Sequence, residues 1–281
     1  MRRVIIFLSQ LGLIAGLLTS SGILRAQALR VEQAAALWEQ TIAAKGGRER
    51  LHATQNLLVS SATKYKKPPK GFQGERTVGL FVLPDKWWFW YDDRPGGFGL
   101  SIATYNFDQQ MGWEVDDAFG LDTYKLLPPV PGSPHKSLEQ RKSDRFKWRR
   151  RQFEEYQLIY LMETKWLQPK ITGARIERVK GKKYDVIETA LEGERFEFYL
   201  DQKTHLPGLV VIRVNVGLPK DYVDAFVLDD YVEVDGLKLP RKATRGSDKN
   251  ETTYQVNVVY EEGLFARPPA LTDRMDAWRT K

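Results

Sequence analysis

The sequence predicts a mainly β protein with helices (α+β), in which a strongly curved antiparallel sheet, or incomplete β-barrel, wraps around a helical lid. Three observations lead there. From Leu57 onward, apolar residues alternate with period two in short runs rich in Val, Tyr, Phe and Trp, cut by Gly, Pro, Asp and Asn. About a dozen such runs occur beside only two helical regions, with no strand–helix–strand rhythm of a parallel sheet. So much sheet in a flat layer would need cover on both faces, whereas a curved sheet encloses its helices on the concave side.

The elements follow in chain order. Val31, Ala35, Trp38 and Ile42 recur at helical spacing, which makes 30–45 an amphipathic helix ended by Gly46 and Gly47. A short helical piece, Arg48 to Ala53, comes next. Strands are expected at 56–65, 75–83, 85–92, 99–107 and 110–115. The stretch 137–166 interrupts them without Pro or Gly, and Phe146, Phe153, Tyr156 and Tyr160 fall on one helical face, so a basic helical insertion is expected there. Strands resume at 171–180, 183–191, 194–201, 207–216, 221–234, 237–246 and 252–260, joined by turns such as Gly181-Lys182 and Asp235-Gly236.

Arg2 and Arg3 precede an uncharged, largely apolar run from Val4 to Leu24, the pattern of a secretory signal peptide, with cleavage expected after Ala28 or Ala26. The expected organisation is a signal peptide over 1–28 and a single domain over 29–281, exported to the periplasm. The chain contains no cysteine, which leaves no role for disulfides or thiolate metal sites. Its formal charge of +7 would fall to +4 with the loss of Arg2, Arg3 and Arg25. The excess lies in the stretch from Lys136 to Glu155, where eight Lys and Arg stand against four acids.

Catalytic patterns are missing from the sequence. Its three histidines, His52, His135 and His205, lie far apart, and none has a partner at a metal-ligand spacing. The acidic pairs Asp92-Asp93, Asp116-Asp117, Asp229-Asp230 and Glu261-Glu262 sit near turns or strand ends, and neighbours on a strand point to opposite faces. We therefore expect no catalytic residues, no metal, no cofactor and no enzymatic activity. Lys147, Arg149, Arg150 and Arg151 around Trp148 form a candidate basic surface. Export and a near-neutral remainder argue against nucleic acid, leaving a solvated helix face or contact with an anionic membrane surface or an acidic envelope protein.

The run Trp87-Trp88-Phe89-Trp90-Tyr91 is more unusual. Alternation puts Trp87, Phe89 and Tyr91 on one face and Trp88 and Trp90 on the other, so both faces need cover. Phe196, Phe198 and Leu200 share a face on a later strand. These stripes are either a packed core or the wall of an apolar cavity closed by the helices.

Several stretches carry a resemblance. They are Ala43-Ala44-Lys45-Gly46-Gly47-Arg48-Glu49-Arg50-Leu51, Leu83-Pro84-Asp85-Lys86-Trp87, Phe107-Asp108-Gln109-Gln110-Met111-Gly112-Trp113, the stretch from Tyr199 to Pro207, and Asp230-Tyr231-Val232-Glu233-Val234-Asp235-Gly236-Leu237-Lys238-Leu239-Pro240. Together they resemble the LolA/LolB-like periplasmic lipoprotein-carrier superfamily. The resemblance implies an open barrel around a helical lid whose apolar interior carries lipid or lipoprotein acyl chains without covalent chemistry. On that reading Trp87, Phe89, Tyr91, Phe196, Phe198 and Leu200 line the ligand, and Trp38 and Ile42 belong to the lid. The alternative is an envelope-assembly interaction module with a filled barrel, binding a partner or an anionic membrane surface through its basic helix.

Overall fold

Period-two alternation in the sequence becomes paired strand in the computed structural model, which describes residues 30–64, 75–93, 99–116, 138–214, 222–245 and 248–270. The expected signal segment with its cleavage site, and His135, lie outside the described residues. Helix α1 covers 30–44, α2 Arg48–Ala53 and α3 Leu138–Leu161. The strands are β1 Asn56–Lys64, β2 Glu75–Val82, β3 Lys86–Asp93, β4 Gly99–Asn106, β5 Met111–Asp116, β6 Lys170–Val179, β7 Lys182–Leu191, β8 Glu194–Asp201, β9 Pro207–Val214, β10 Tyr222–Val234, β11 Leu237–Arg245 and β12 Asp248–Val256. They run in the order β5-β4-β3-β2-β1-β12-β11-β10-β9-β8-β7-β6, so the sheet has two edges, β5 and β6, and does not close on itself. The mainly β, antiparallel, open-sheet class expected from the alternation is the class observed.

The described residues form two compact units. Among the described residues, one comprises 30–41 together with those of Pro169–Asp224; the other comprises those of Ile42–Gln168 and of 225–270. In the first, β6 to β9 form hairpins whose register places Ile187, Phe198 and Val210 side by side, with Thr189, Phe196 and Ile212 in the next row. All six side chains are buried, and Trp38 of α1 meets Phe198 edge-on at 5.6 Å. The opposite face is polar: Arg175 pairs with Glu177, Glu188 and Glu197, and Arg213 pairs with Glu197. This is the alternation of a sheet with one buried face.

In the second unit both faces of the sheet are covered. Trp88 belongs to a buried cluster with Leu58, Val78, Leu80, Val82 and Ile102, which is capped by Leu264 and Phe265 from a 3-10 turn over Glu262–Phe265. Val258 and Tyr260 pack against the same cluster. The last strand was expected at 252–260 but ends at Val256, because Asn257 takes a left-handed conformation and turns the chain. Its backbone N–H donates to Asn56 O at 3.0 Å, and its side-chain oxygen accepts from Gln55 N at 2.7 Å. Tyr260, read as strand, is thereby freed to cover the far face. Likewise the helix expected to reach Trp166 stops at Leu161, where Met162 is left-handed.

Gly46 and Gly47 end α1 as expected, but Gly46 has a second duty. Lys238 N donates to Lys45 O at 2.9 Å, which brings the β10–β11 turn against the helix end. A Cβ on Gly46 would overlap the carbonyl oxygen of Gly236, at a backbone φ of +120°. Gly181 also has positive φ, yet a Cβ there meets nothing within 4 Å. Gly46→Ala should therefore cost about 3 kcal/mol or more, against about 1 kcal/mol for Gly181→Ala, where only the left-handed backbone is strained. Urea denaturation of the two variants measures the difference.

Candidate functional site

The sheet face beneath α3 is built in rows by strand register. Phe81, Trp87, Tyr105 and Gly112 lie abreast on β2, β3, β4 and β5. The next row is Gly79, Phe89, Ala103 and Glu114, and beyond it Thr77, Tyr91 and Ser101 follow. The face thus passes from aromatic to small and polar over two rows. Gly112 is required by the first row, since a Cβ there would come within 2.6 Å of the Tyr105 ring.

The periodic aromatics of α3 meet this floor. Phe153 stacks on Phe81 at 5.8 Å and approaches Phe107 at 5.3 Å and Trp87 at 6.3 Å. Phe146 meets Phe107 at 5.4 Å, Tyr156 meets both Phe81 and Trp87, and Tyr160 reaches Tyr254 at 5.7 Å. Offset and edge-on ring pairs of this kind add roughly 0.5–1.5 kcal/mol each beyond the area they bury.

Polar anchors hold both halves of α3. In its first half, Arg145 and Arg149 reach down to Glu114 on the edge strand β5, with donor–acceptor distances of 2.9–3.0 Å, and the Tyr105 hydroxyl donates to the same carboxylate. Burial alone would raise the Glu114 pKa, but Arg149 and Arg145 outweigh it and hold the carboxyl at about 2. At the other end, Glu163 accepts from Arg48 Nε at 2.7 Å and lies 3.1 Å from His52 Nε2. Lys45, fully buried, donates to the carbonyl of Tyr160, one of the last carbonyls of the helix, and sits 5.5 Å from the Tyr231 ring centroid.

The expected site residues fall into two sets. Trp87 and Phe89 stand together beneath α3, with ring centroids 4.9 Å apart, and Tyr91 lies two residues further along β3, half-buried. Phe196 and Phe198 stand together in the other unit, with Trp38 against Phe198, and Leu200 is buried on their strand. Ile42 is buried too, in the unit that contains α3.

The basic run is placed differently from the expected surface. Arg149 turns inward to Glu114, and its side chain is only 13% exposed, because i and i+4 relative to Arg145 share the sheet-facing side of the helix. Arg150 and Arg151 pair with Glu154 and Glu155 one turn on, so two of the four cations are paired within the helix. Lys147 remains exposed beside Trp148, which is 41% exposed.

Sequence reasoning missed Glu114, Tyr105, Arg145, Lys45 and Glu163. Glu114 carries no motif; alternation on β5 does put it on the face opposite buried Val115, and that was the available signal. Lys45 reads as an ordinary basic residue at a helix C-terminus. Among the described residues, no group of three or more His, Asp and Glu is arranged to hold a metal ion. None of the described helices is long and apolar enough to cross a membrane.

No protein-family model matches the chain, and no curated protein does. Several solved structures are similar to it, among them the following two. One, by its description an outer membrane lipoprotein-sorting protein domain from Vibrio parahaemolyticus, is 12% identical with a TM-score of 0.43, covering 84% of this chain and 97% of its own. The other, a LolA superfamily protein from Nitrosomonas europaea, is 9% identical with a TM-score of 0.45, covering 81% and 97%.

Lys45 makes the stability of this unit depend on pH. Desolvation lowers its pKa from 10.5 to about 7, so between those values the folded chain binds fewer protons than the unfolded one. Stability should rise with pH across that window, by at most about 1.4 kcal/mol per pH unit from this group, and level off below it. Above pH 10 the trend reverses, because burial raises the pKa of Tyr160, and the neighbouring Tyr156 adds to the shift. In urea unfolding from pH 6 to 10, Lys45→Met should be most stable relative to wild type at pH 6, and its advantage should shrink steadily as the pH rises.

Proposed function

We propose that this chain is an exported, periplasmic binding or carrier protein that holds an acyl chain of a lipid or lipoprotein without covalent chemistry. The observation that carries this reading is the aromatic floor of Phe81, Trp87, Phe89 and Tyr105, roofed by a helix whose own contacts to it are aromatic rings. Such a floor suits a methylene chain. Each methylene withdrawn from water contributes about 0.8 kcal/mol, and flat rings bind it without demanding one register. Gly79 and Ala103 flank Phe89, and the Phe81 and Trp87 rings lean over Gly79, so the floor around Phe89 is itself ring surface. The motif resemblance to lipoprotein carriers supports the same reading.

In this reading α3 is the movable roof of one unit. Its C-terminal end is tied by Lys45 and Glu163, and its first half is clamped through Glu114. Release of the clamp would let the first half lift while the far end stays attached, exposing the floor to a donor or acceptor. Phe196, Phe198 and Leu200, with Trp38 over Phe198, form a second apolar bed of the same character in the other unit.

Protein purified from the periplasm without detergent should release lipid on organic extraction and show the corresponding mass in native mass spectrometry. Phe89→Asp, folded by far-UV circular dichroism, should take up the fluorescent fatty acid cis-parinaric acid at least about tenfold more weakly than wild type. Empty protein together with unchanged uptake by Phe89→Asp would show that the floor is a closed core.

A further inference from the structure

The charge pattern at the clamp is unequal. Glu114 is shared: Arg145 donates from Nε and Nη2, Arg149 from Nε, and Tyr105 from its hydroxyl. Among the described side chains, one carboxylate at this centre therefore faces two guanidiniums. Burial keeps the Tyr105 phenol protonated well above its usual range, so it adds no negative charge. Structural ion pairs in poorly solvated places tend to be matched, because an unmatched charge there is costly.

The surplus cation lies against the apolar floor. The Arg149 guanidinium carbon is 4.6 Å from the Phe89 ring centroid and 6.0 Å from that of Trp87. Its Nη1 is bound by Gln152, whereas Arg145 uses Nε and Nη2 on Glu114, which leaves Nη1 for another acceptor among the described residues. A second donor stands beside them and is independent of the charge. Trp87 Nε1 is buried without a hydrogen-bond partner, and a Cβ added to Gly79 would come within 3.3 Å of it. The Phe81 ring closes on the same position to 3.1 Å, so the indole N–H stands at the packed edge of the floor. Gly79 is the cross-strand partner of Phe89, the ring beneath Arg149. An unsatisfied buried donor is costly, and this one stands beside the surplus cation.

We propose that Arg149, Arg145 and the Trp87 indole together bind the anionic headgroup, a carboxylate or phosphate, of the acyl lipid whose chain lies on the aromatic floor. This rests on the carrier reading and adds to it the chemical class of the ligand's polar end. Two guanidiniums recognise paired anionic oxygens, and the indole N–H adds a further donor beside them. The chain then runs away from Arg149 over the rings.

The test compares cis-parinaric acid, ionised at pH 8, with its methyl ester, which has the same chain and no charge. Wild-type protein should bind the acid at least about tenfold more tightly than the ester, with the preference shrinking as salt rises. Arg149→Gln and Arg145→Gln should each reduce the ratio of acid to ester affinity by about tenfold, a ratio that any loosening of the clamp, acting on both ligands alike, does not change. Arg150→Gln, on the exposed side of the same helix, should change neither. Should Arg149→Gln fail to fold, the wild-type comparison and Arg145→Gln still decide. Equal binding of acid and ester by wild type overturns the headgroup site while leaving the carrier reading intact. Binding of neither overturns both. Displacement of the acid by low-millimolar inorganic phosphate would identify a site for a free anion and overturn the assignment to a lipid.

Discussion

Everything in the larger unit depends on covering both faces of one sheet. Five consecutive aromatics on β3 cannot all point the same way, so alternation sends Trp87 and Phe89 to one side and Trp88 to the other. Leaving either row in water would forfeit a large share of the burial energy available to the unit. The chain meets this constraint with two covers of different kinds. The far face receives the C-terminal segment, whose Leu264 and Phe265 lie on Trp88 and its neighbours. The near face receives α3, long enough at 24 residues to run from the edge strand to the β11–β12 side.

The two covers are held differently, and the difference bears on function. The far-face cover is apolar cluster, continuous with the strands beneath it. The near-face cover is aromatic contact framed by charge: Glu114 with two arginines toward one end, and Lys45 and Glu163 at the other. Charged anchors in a partly buried place respond to protonation and to competing ions in a way that apolar packing does not. On the proposed carrier reading, a roof attached through such groups would be released in part without unfolding what lies below. The smaller unit, with one buried and one ion-paired face, is simpler and follows the ordinary economy of an antiparallel sheet.

Much of this was legible in the sequence. All twelve strands and both long helices lie where periodicity places them, because burial of one face imposes period two on a strand and 3.6 on a helix. Phe146, Phe153, Tyr156 and Tyr160 were readable as the buried stripe of α3 for the same reason. Boundaries failed where local chemistry overrode the pattern, at Met162 and Asn257, both left-handed residues that end an element while apolar residues continue beyond it. The site was half legible: the floor aromatics announce themselves, but the groups that clamp and tune them do not. Arg149 and Arg150 are adjacent and chemically alike, yet one faces a buried carboxylate and the other solvent.

By itself, then, the sequence determined which segments pair, which side chains share a face, and that the aromatic strand needs cover on both sides. All of these follow from periodicity along the chain. The tertiary structure alone decided what supplies each cover, and that Glu114, Arg145, Arg149 and Tyr105 converge while Lys45 is shut among tyrosines. Those outcomes depend on the strand order and on where α3 lies across it, which join residues far apart in sequence. A charge in the sequence has no partner until the fold brings one within a few ångströms.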